Sequence, residues 1–194
     1  EIIPALRLDK RIGQHAYIEP GLGLSGGNIE RDLETISHIG YETGAKVSVI
    51  KSYIEHSRYR KQWPIRQFFE HYDSAIKDFK IGILGLAYKA NTDSVKNSPA
   101  LDLIKALPNI RVSVYDPVVK EMQTGKNIEY CKTSEESAKA ADMLFIMTPW
   151  DDFRELDWET ITRSMRGKIL IDPYHIITKT FSKQFNHIVL GRQS

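Results

Sequence analysis

The sequence is poor in several features that mark particular protein classes. Its one cysteine, Cys131, excludes an internal disulfide framework and is what we expect of a cytoplasmic protein. No stretch approaches the roughly 20 apolar residues of a membrane-spanning helix. The 27 basic and 25 acidic residues leave a formal net charge of +2, too small for a typical nucleic-acid-binding protein. The six histidines show no ligand spacing, so no metal site is predicted.

The remaining composition is typical of a globular protein. Hydrophobic residues make up 41% and charged residues 27%, enough for a full core. The N-terminus lacks the charged segment and apolar run of a signal peptide. Because the chain starts without Met, inside a segment of helical character, we expect it to be a fragment of a longer protein.

The first 77 residues are predicted to be largely helical. Residues 1–28 are mostly irregular and end in a glycine-rich run at 20–28. From about Ile29 apolar residues recur at helical spacing, and Gly44 separates two predicted helices. Pro64 can open a further helix, since proline suits the first helical turn.

Strand and helix patterns alternate from Lys80 onward. Apolar runs predict buried strands at 81–87, 111–115, 143–147 and 168–171. Helices are predicted between them, one of which starts at Ser98 and Pro99, a capping residue followed by proline. The short connections indicate a parallel α/β sheet with helices on both faces. Ligands in such sheets bind beyond the carboxyl ends of the strands, here 87–89, 116–117, 148–150 and 172–175.

Residues Gly21–Gly26 match the G-x-G-x-x-G pattern of dinucleotide-binding proteins. That pattern normally follows a buried strand within a strand-helix-strand unit. Here a short segment ending in Pro20 precedes it, and two predicted helices follow. We interpret it as a loop whose bare backbone N–H groups approach a ligand, or as a structural turn. We expect the chain alone not to bind NADH.

A polar loop follows the first predicted strand of the sheet. Tyr88 and Lys89 open it, residues 91–93 continue it, and the helix start at Ser98–Pro99 closes it. A helix N-terminus presents free N–H groups and the positive end of the helix dipole, so this loop suits an anion.

Two segments carry long motifs. Residues 9–32 contain D-K-R-I-G, P-G-L-G and G-G-N-I-E-R-D, and residues 85–100 contain G-L-A-Y-K-A-N-T-D and S-P-A. The first resembles the central-domain substrate loop of the UDP-glucose/GDP-mannose dehydrogenase family. The second resembles the opening of that family's nucleotide-sugar-binding domain. Further similarities lie at 114–117, 141–142, 148–150 and 190–192. The resemblance covers essentially the whole chain, which lacks the family's N-terminal NAD-binding domain.

The resemblance implies oxidation of a sugar C6 alcohol to a carboxylate by two NAD, through a thiohemiacetal and a thioester on cysteine. In the family pattern G-G-S-C-F-P-K-D, alignment on Asp32 places Asn28 at the cysteine. A carboxamide cannot form a thioester, and Cys131 lies in the other predicted domain. The enzyme then stops at the aldehyde or oxidises its hydrate, or the protein is an inactive nucleotide-sugar-binding relative. A third possibility is that the cysteine was replaced deliberately to trap substrate. The neighbouring residues 29–31 also differ from the family pattern, which disfavours this possibility.

The resemblance also implies roles for residues of the first segment. Asp32 corresponds to an aspartate that orients water or acts as a base, although a first-turn helix carboxylate is an alternative. Arg11 corresponds to an arginine that reaches the nucleotide sugar of a partner subunit, and it is otherwise a surface charge. Sugar and uracil contacts are implied for four residues, of which the first is alternatively a core aromatic: Tyr17, Ile18, Gly21 and Gly23.

In the second segment, Tyr88 corresponds to an aromatic near the substrate and Lys89 to a lysine that pairs with its phosphates. Lys96 stands where the family has an arginine facing NAD, a weaker match because lysine lacks the bidentate fork. Tyr174 stands near a family arginine, so one substrate contact is missing.

We therefore predict an α/β protein, with a Rossmann-like nucleotide-sugar-binding domain at 78–194 preceded by a helical central (dimerisation) domain remnant at 1–77. The resemblance implies a cytoplasmic NAD-dependent dehydrogenase that feeds surface polysaccharide synthesis, with NAD bound mainly by the absent domain. It implies a homodimer through the helices between Leu33 and Tyr59, without nucleic-acid or membrane partners. The chain alone should not catalyse hydride transfer. These expectations require that the strand leading to Lys89 and the glycine-rich turn before Asp32 face each other across a shared cleft shaped for a sugar diphosphate.

Overall fold

The first part of the protein is helical. The computed structural model describes residues 2–16, 18, 21–120, 122, 127–177, 181 and 183–191. Its first four helices are α1 (Ile2–Leu8), α2 (Asn28–Thr43), α3 (Ser48–Lys61) and α4 (Trp63–His71). Helix α1 occupies part of the segment expected to be mostly irregular. The break between α2 and α3 at Gly44 and the helix opened near Pro64 are as predicted.

The second part is a six-stranded, all-parallel sheet with the strand order β3-β2-β1-β4-β5-β6. The strands are β1 (Lys80–Leu84), β2 (Arg111–Tyr115), β3 (Ile128–Tyr130), β4 (Met143–Ile146), β5 (Ile169–Asp172) and β6 (Asn186–Val189). The helices between them are α5 (Pro99–Ala106), α6 (Ser134–Ala138) and α7 (Trp158–Ser164). The chain builds outward from β1 and then from β4, so the strand order reverses between these two strands. This Rossmann-like arrangement confirms the predicted fold class.

The first strand is shorter than its apolar run suggested. β1 ends at Leu84, because Gly85 takes a φ of +95° and turns the chain out of the sheet. A side chain at this position would overlap Thr148, which follows β4. The glycine therefore brings the ends of the two central strands close together. The edge strands β3 and β6 were not predicted, since they are short and carry polar, partly exposed residues.

Two hydrophobic cores cover the two faces of the sheet, because successive strand residues point in opposite directions. Ile83 and Phe145 pack on the face covered by α4 and α5, together with Phe68 of α4. Leu84 and Leu144 pack on the face covered by α6 and α7. Phe68 is 1% exposed, so α4 joins the helical segment firmly to the sheet.

Helices α1–α3 leave many apolar side chains in water. Within these helices the structure describes only Gly40, Ser57 and Lys61 as buried. The most exposed large apolar residues of α1–α3 are Ile2, Leu8, Ile29, Tyr41, Val49, Tyr53 and Tyr59. Among the described residues, no helix is both long and apolar enough to cross a membrane.

Candidate functional site

Asp116, at the end of β2, organises the carboxyl edge of the sheet. One carboxylate oxygen accepts hydrogen bonds from the backbone N–H groups of Leu86 at 2.7 Å and Ala87 at 3.0 Å, and from the Trp150 indole at 3.3 Å. The other accepts two backbone N–H groups from residues 118–119, both at 2.9 Å. In dinucleotide-binding folds an acidic residue in this region binds a ribose. Here protein donors occupy both oxygens, so Asp116 shapes the edge instead.

Two hydroxyl groups fix the loop that leaves β1. The Ser98 hydroxyl donates to the Leu86 carbonyl at 2.7 Å and accepts from the Ala100 N–H, which makes Ser98 the predicted cap of α5. The Thr148 hydroxyl donates to the Ala87 carbonyl at 2.6 Å. The start of this loop is therefore held by Ser98 from the loop's own far end and by Thr148 from the end of the neighbouring strand β4.

The glycine-rich loop lies directly against this loop. The Gly26 N–H donates to the Lys96 carbonyl at 3.1 Å, and the Ser25 hydroxyl donates to the Tyr88 carbonyl at 3.2 Å. Gly26 has a φ of +79°, and a Cβ there would lie 2.9 Å from the Tyr88 ring. The two segments on which the functional prediction depends are thus in contact. Helices α2 and α3 follow the glycine-rich loop, so it lacks the strand-helix-strand setting of a dinucleotide fingerprint.

The other side of the glycine-rich loop rests on α3 and on the end of β5. The Leu24 N–H donates to the Ser57 hydroxyl at 2.8 Å, and Leu22 is 2% exposed in the core. Gly21 faces the ring of Tyr174, to which a Cβ would lie at 3.8 Å. The Tyr174 hydroxyl in turn bonds the Met147 carbonyl at 3.4 Å. The loop therefore meets the sheet near the ends of β1, β4 and β5.

Asn28 is the exposed first residue of α2, at the end of the glycine-rich loop. The Lys96 side chain lies over the adjacent Gly27, where a Cβ would be 2.6 Å from its ammonium nitrogen. Asp32 lies one turn further along α2, also exposed, and accepts hydrogen bonds from Arg31 at 3.0 and 3.1 Å. The Lys96 ammonium therefore lies beside the residue that precedes Asn28, and the Asp32 carboxylate is one turn further along the same helix.

Comparison with known proteins identifies the family. A model described as "UDP-glucose/GDP-mannose dehydrogenase family, UDP binding domain" matches residues 82–179, half of the chain. The chain belongs to the UDP-glucose/GDP-mannose dehydrogenase family. A UDP-glucose 6-dehydrogenase of Rickettsia prowazekii is 29% identical over 194 residues, 96% of this chain and 44% of that protein. This member therefore spans less than half the length of that relative.

Solved structures share the fold of this family member. A UDP-glucose dehydrogenase from Pyrobaculum islandicum gives a TM-score of 0.79 at 26% identity, over 98% of this chain and 42% of that chain. A UDP-D-ManNAc dehydrogenase from Pyrococcus horikoshii gives 0.75 at 28% identity, over 98% and 43%. Each similarity extends over both the helical segment and the sheet.

The residues that the family pattern assigns to substrate fall in two places. Gly21, Gly23, Tyr88 and Lys89 lie in the two contacting loops. Lys89 is exposed, with its ammonium 5.6 Å from the centre of the Tyr88 ring, within cation–π range. Ile18 is partly buried, whereas the prediction for Tyr17 lies outside the described residues.

Arg11 precedes both loops in the sequence, and 89% of its side chain is exposed. Its guanidinium nitrogen Nη2 lies 2.6 Å from a carboxylate oxygen of Asp9. The hydrogen bond from Arg11 lowers the pKa of the Asp9 carboxyl. The same hydrogen bond raises the pKa of the Arg11 guanidinium, which therefore stays charged while it remains largely exposed.

Cys131 is unsuited to replace the family's nucleophile. It follows β3 at the edge of the sheet, and its sulfur is 3.9 Å from the Glu129 carbonyl. Burial, and then the charge of Glu129, raise the pKa of the thiol, so less thiolate forms near neutral pH. A nucleophilic cysteine needs the opposite environment. Nor do the described side chains group three or more ligands that could hold a metal ion.

Asp172, at the end of β5, is a structural residue like Asp116. It is fully buried and accepts hydrogen bonds from the Tyr174 N–H at 3.2 Å, the Ile177 N–H at 3.1 Å and the His187 ring at 3.1 Å. These bonds fix the turn that carries Tyr174. The family pattern has an arginine near this turn, and the aromatic ring here packs on the glycine-rich loop instead.

Three residues connect the two loops to the helices, and sequence reasoning missed two of them, Lys61 and Asn97. They are Glu30, Lys61 and Asn97. Lys61 and Asn97 lie 31 and 67 residues from Glu30 along the chain. No spacing rule relates side chains that far apart, so only the tertiary structure brings them together.

Proposed function

We propose that this chain is the substrate-binding half of an NAD-dependent nucleotide-sugar 6-dehydrogenase. Family membership supports the enzyme class. The observation that carries the proposal is the packing of Gly26 between the Tyr88 ring and the Lys96 carbonyl. This contact supports a shared site for the two family motifs, 9–32 and 85–100, at the carboxyl edge of the parallel sheet, where ligands of such sheets bind.

In the proposed site, each of the two loops contacts a different part of the nucleotide sugar. Lys89 offers an exposed ammonium to the diphosphate, because a flexible point charge suits phosphate oxygens. Gly21 and Gly23 bring bare backbone against the sugar and base, and we assign further contacts of that kind to Ile18 and Tyr17 from the family pattern. Tyr88 supplies an aromatic wall. Arg11, exposed and charged, would serve the site of a second subunit.

Asn28 changes the chemistry expected at the sugar C6. Its carboxamide cannot add to an aldehyde and leave as a thiolate does, so no thioester can form at this position. Lys96, lying over Gly27, presents its positive charge beside Asn28 and can stabilise an alkoxide or a hydrate oxyanion. Asp32 on the next turn can orient water or accept a proton. We propose that the enzyme stops at the aldehyde or oxidises its hydrate.

A second candidate function follows from the same residue. With an amide at the cysteine position, the protein is alternatively an inactive relative that binds a nucleotide sugar. Asn28 is the specific observation in favour of this reading, because the described part of the site offers no thiol.

In our proposal, a domain outside this chain provides most of the NAD-binding contacts. NAD supplies the hydride acceptor in such enzymes, but the sheet described here does not fit it. Both oxygens of Asp116 accept protein N–H groups, so the usual ribose contact is missing. We therefore assign NAD to a preceding domain, with Lys96 as a contact from this chain.

The proposed organisation of the protein follows from the exposed helices. We assign 1–77 to a central dimerisation domain and 78–194 to the nucleotide-sugar-binding domain. Ile36, Ile39 and Tyr53 are about half exposed or more on α2 and α3, and a homodimer through the helices between 33 and 59 would cover such residues. We propose a cytoplasmic enzyme of surface polysaccharide synthesis.

Calorimetric titration of the 194-residue chain tests the binding role. UDP-glucose, UDP-N-acetylmannosamine, GDP-mannose and NADH are titrated separately. We expect saturable binding of at least one nucleotide sugar and none of NADH. Lys89→Met should weaken that binding roughly tenfold through loss of a phosphate contact, whereas Lys77→Met, an exposed lysine before the sheet, should not. Failure of every sugar to bind, or saturable NADH binding, refutes the proposal.

NAD reduction by the longer protein that contains this chain separates the two candidate functions. One NADH per sugar indicates arrest at the aldehyde, and two with release of carboxylate indicate oxidation of the hydrate. No turnover in the parent, with a sharp gain in Asn28→Cys, identifies the inactive relative.

A further inference from the structure

Glu30 lies where α2, α3 and the loop after β1 meet. Its carboxylate accepts a hydrogen bond from the Asn97 side-chain amide at 2.6 Å. The Lys61 ammonium lies 3.3 Å from one carboxylate oxygen and 3.5 Å from the other. The side chains of Lys61 and Glu30 are only 10% and 21% exposed, so water screens this ion pair less than one on the open surface.

Asn97 joins Glu30 to the glycine-rich loop. Its side-chain nitrogen also donates to the Gly26 carbonyl at 2.7 Å, so both amide protons are in use. The neighbouring Lys96 carbonyl accepts the Gly26 N–H at 3.1 Å. The backbone of Gly26 is thus held through both its N–H and its carbonyl. Asn97 has a φ of +53°, a conformation that asparagine tolerates better than most residues.

One face of α3 supports both ends of the glycine-rich loop. Ser57 and Lys61 are four residues apart, which places them on the same side of the helix. Ser57 accepts the Leu24 N–H at 2.8 Å, before the turn, and Lys61 pairs with Glu30 after it. Asn28 lies between these two supported points, so its position depends on both.

We propose that Glu30, held by Asn97 and Lys61, is a positioning residue that sets the Asn28 end of the glycine-rich loop against the loop carrying Tyr88. The family pattern G-G-S-C-F-P-K-D has proline here, which offers no carboxylate. The effect on ligand binding rests on the proposed function, whereas the junction of Glu30, Asn97 and Lys61 does not.

Asn97→Asp is the sharpest perturbation, since it keeps the shape and removes both donated protons. The new carboxylate faces the Gly26 carbonyl and the Glu30 carboxylate, with Lys61 on α3 and Lys96 on its own loop as the nearby cations. At pH 8 we expect roughly tenfold weaker binding of whichever nucleotide sugar the parent binds. At pH 5.5 one of the two facing carboxylates takes up a proton and donates it to the other, so affinity should recover relative to the parent.

Adding Glu30→Gln to Asn97→Asp gives a second rescue that does not depend on pH. The glutamine amide can donate to the new carboxylate, and that carboxylate replaces the negative charge near Lys61. We expect most of the lost affinity to return at pH 8. Asn186→Asp, the same change at an exposed strand end far along the chain, serves as the matched control and should bind like the parent.

Amide hydrogen exchange of the ligand-free variants tests the junction without any substrate. The junction is supported if Asn97→Asp exchanges faster at 22–30 and 88–97. The added Glu30→Gln should reverse this increase, and Asn186→Asp should not show it. Unaltered exchange at 22–30 overturns the junction. Unchanged affinity, or a pH profile parallel to that of the parent, overturns the positioning role. If the parent binds no nucleotide sugar, the proposed function fails while exchange still decides the junction.

Discussion

Asp116→Asn should destabilise the protein although the two side chains have the same shape. The carboxylate accepts five N–H groups, three on one oxygen and two on the other. Asparagine has a single acceptor oxygen, and its NH2 group must face donors in either orientation. The better orientation keeps the three bonds from Leu86, Ala87 and Trp150 and gives up the two from residues 118–119.

The magnitude follows from the bonds lost. A hydrogen bond to a charged acceptor contributes about 1.5–3 kcal/mol, and an unsatisfied buried donor costs about 1–3 kcal/mol. Val118 is 45% exposed, so water can replace part of the hydrogen bonding lost at residues 118–119. We therefore expect the free energy of unfolding to fall by about 2–4 kcal/mol, a large part of the roughly 5–15 kcal/mol of a typical domain.

Urea unfolding followed by circular dichroism at pH 7 measures this change. Asp152→Asn is the control, because Asp152 is exposed at the same edge of the sheet and loses the same charge. It should change the free energy of unfolding by no more than about 0.5 kcal/mol. A loss below about 1 kcal/mol in Asp116→Asn, combined with weaker nucleotide-sugar binding, would show that Asp116 serves a ligand and that our reading of the edge is wrong.

Three further predictions concern the sheet. Gly85→Ala adds a Cβ that overlaps Thr148 and should lower the free energy of unfolding, measured by thermal unfolding, by about 2–5 kcal/mol. Gly191→Ala, at a similar φ but in open surroundings, should lower it by only about 1–2 kcal/mol. Equal losses in the two variants would contradict the packing argument. Arg166→Met removes the ion-pair partner of the buried Asp142 carboxylate and should lower the midpoint of urea unfolding. Arg163→Met, which breaks an exposed pair with Glu159, should lower it less. The reverse order would refute this ranking. Because burial raises the pKa of Cys131, its alkylation by iodoacetamide should reach half-maximal rate at higher pH in the folded chain than in urea, and coincident profiles would contradict this.

Features that depend on neighbouring residues were predictable from the sequence. The start of α5 was found from Ser98 and Pro99, since a cap and a proline act on backbone groups within one turn. The four inner strands were found from continuous apolar runs, because strands covered on both faces have no polar side. Their bounds were less accurate where a glycine ends the strand early, as at Gly85.

Edge strands and exposed helices were harder to predict. β3 and β6 exist because they pair with neighbours, Ile128 beside Val112 and Ile188 beside Ile171. Their own sequences are short and partly polar. The apolar residues of α2, such as Ile36 and Ile39, follow a helical pattern but stay exposed. Periodicity predicts the helix and leaves undecided what covers its apolar side.

The sequence alone determined the parallel sheet, the family and the two motifs that form the proposed site, because each depends on residue types at short spacings. Only the tertiary structure decided which polar residues remain available to a ligand. It showed that Asp116 and Asp172 are occupied by protein N–H groups, and that Glu30 and Asn97 meet across 67 residues of chain. Hydrogen bonds between distant segments form only after the chain has folded, so no local pattern encodes them.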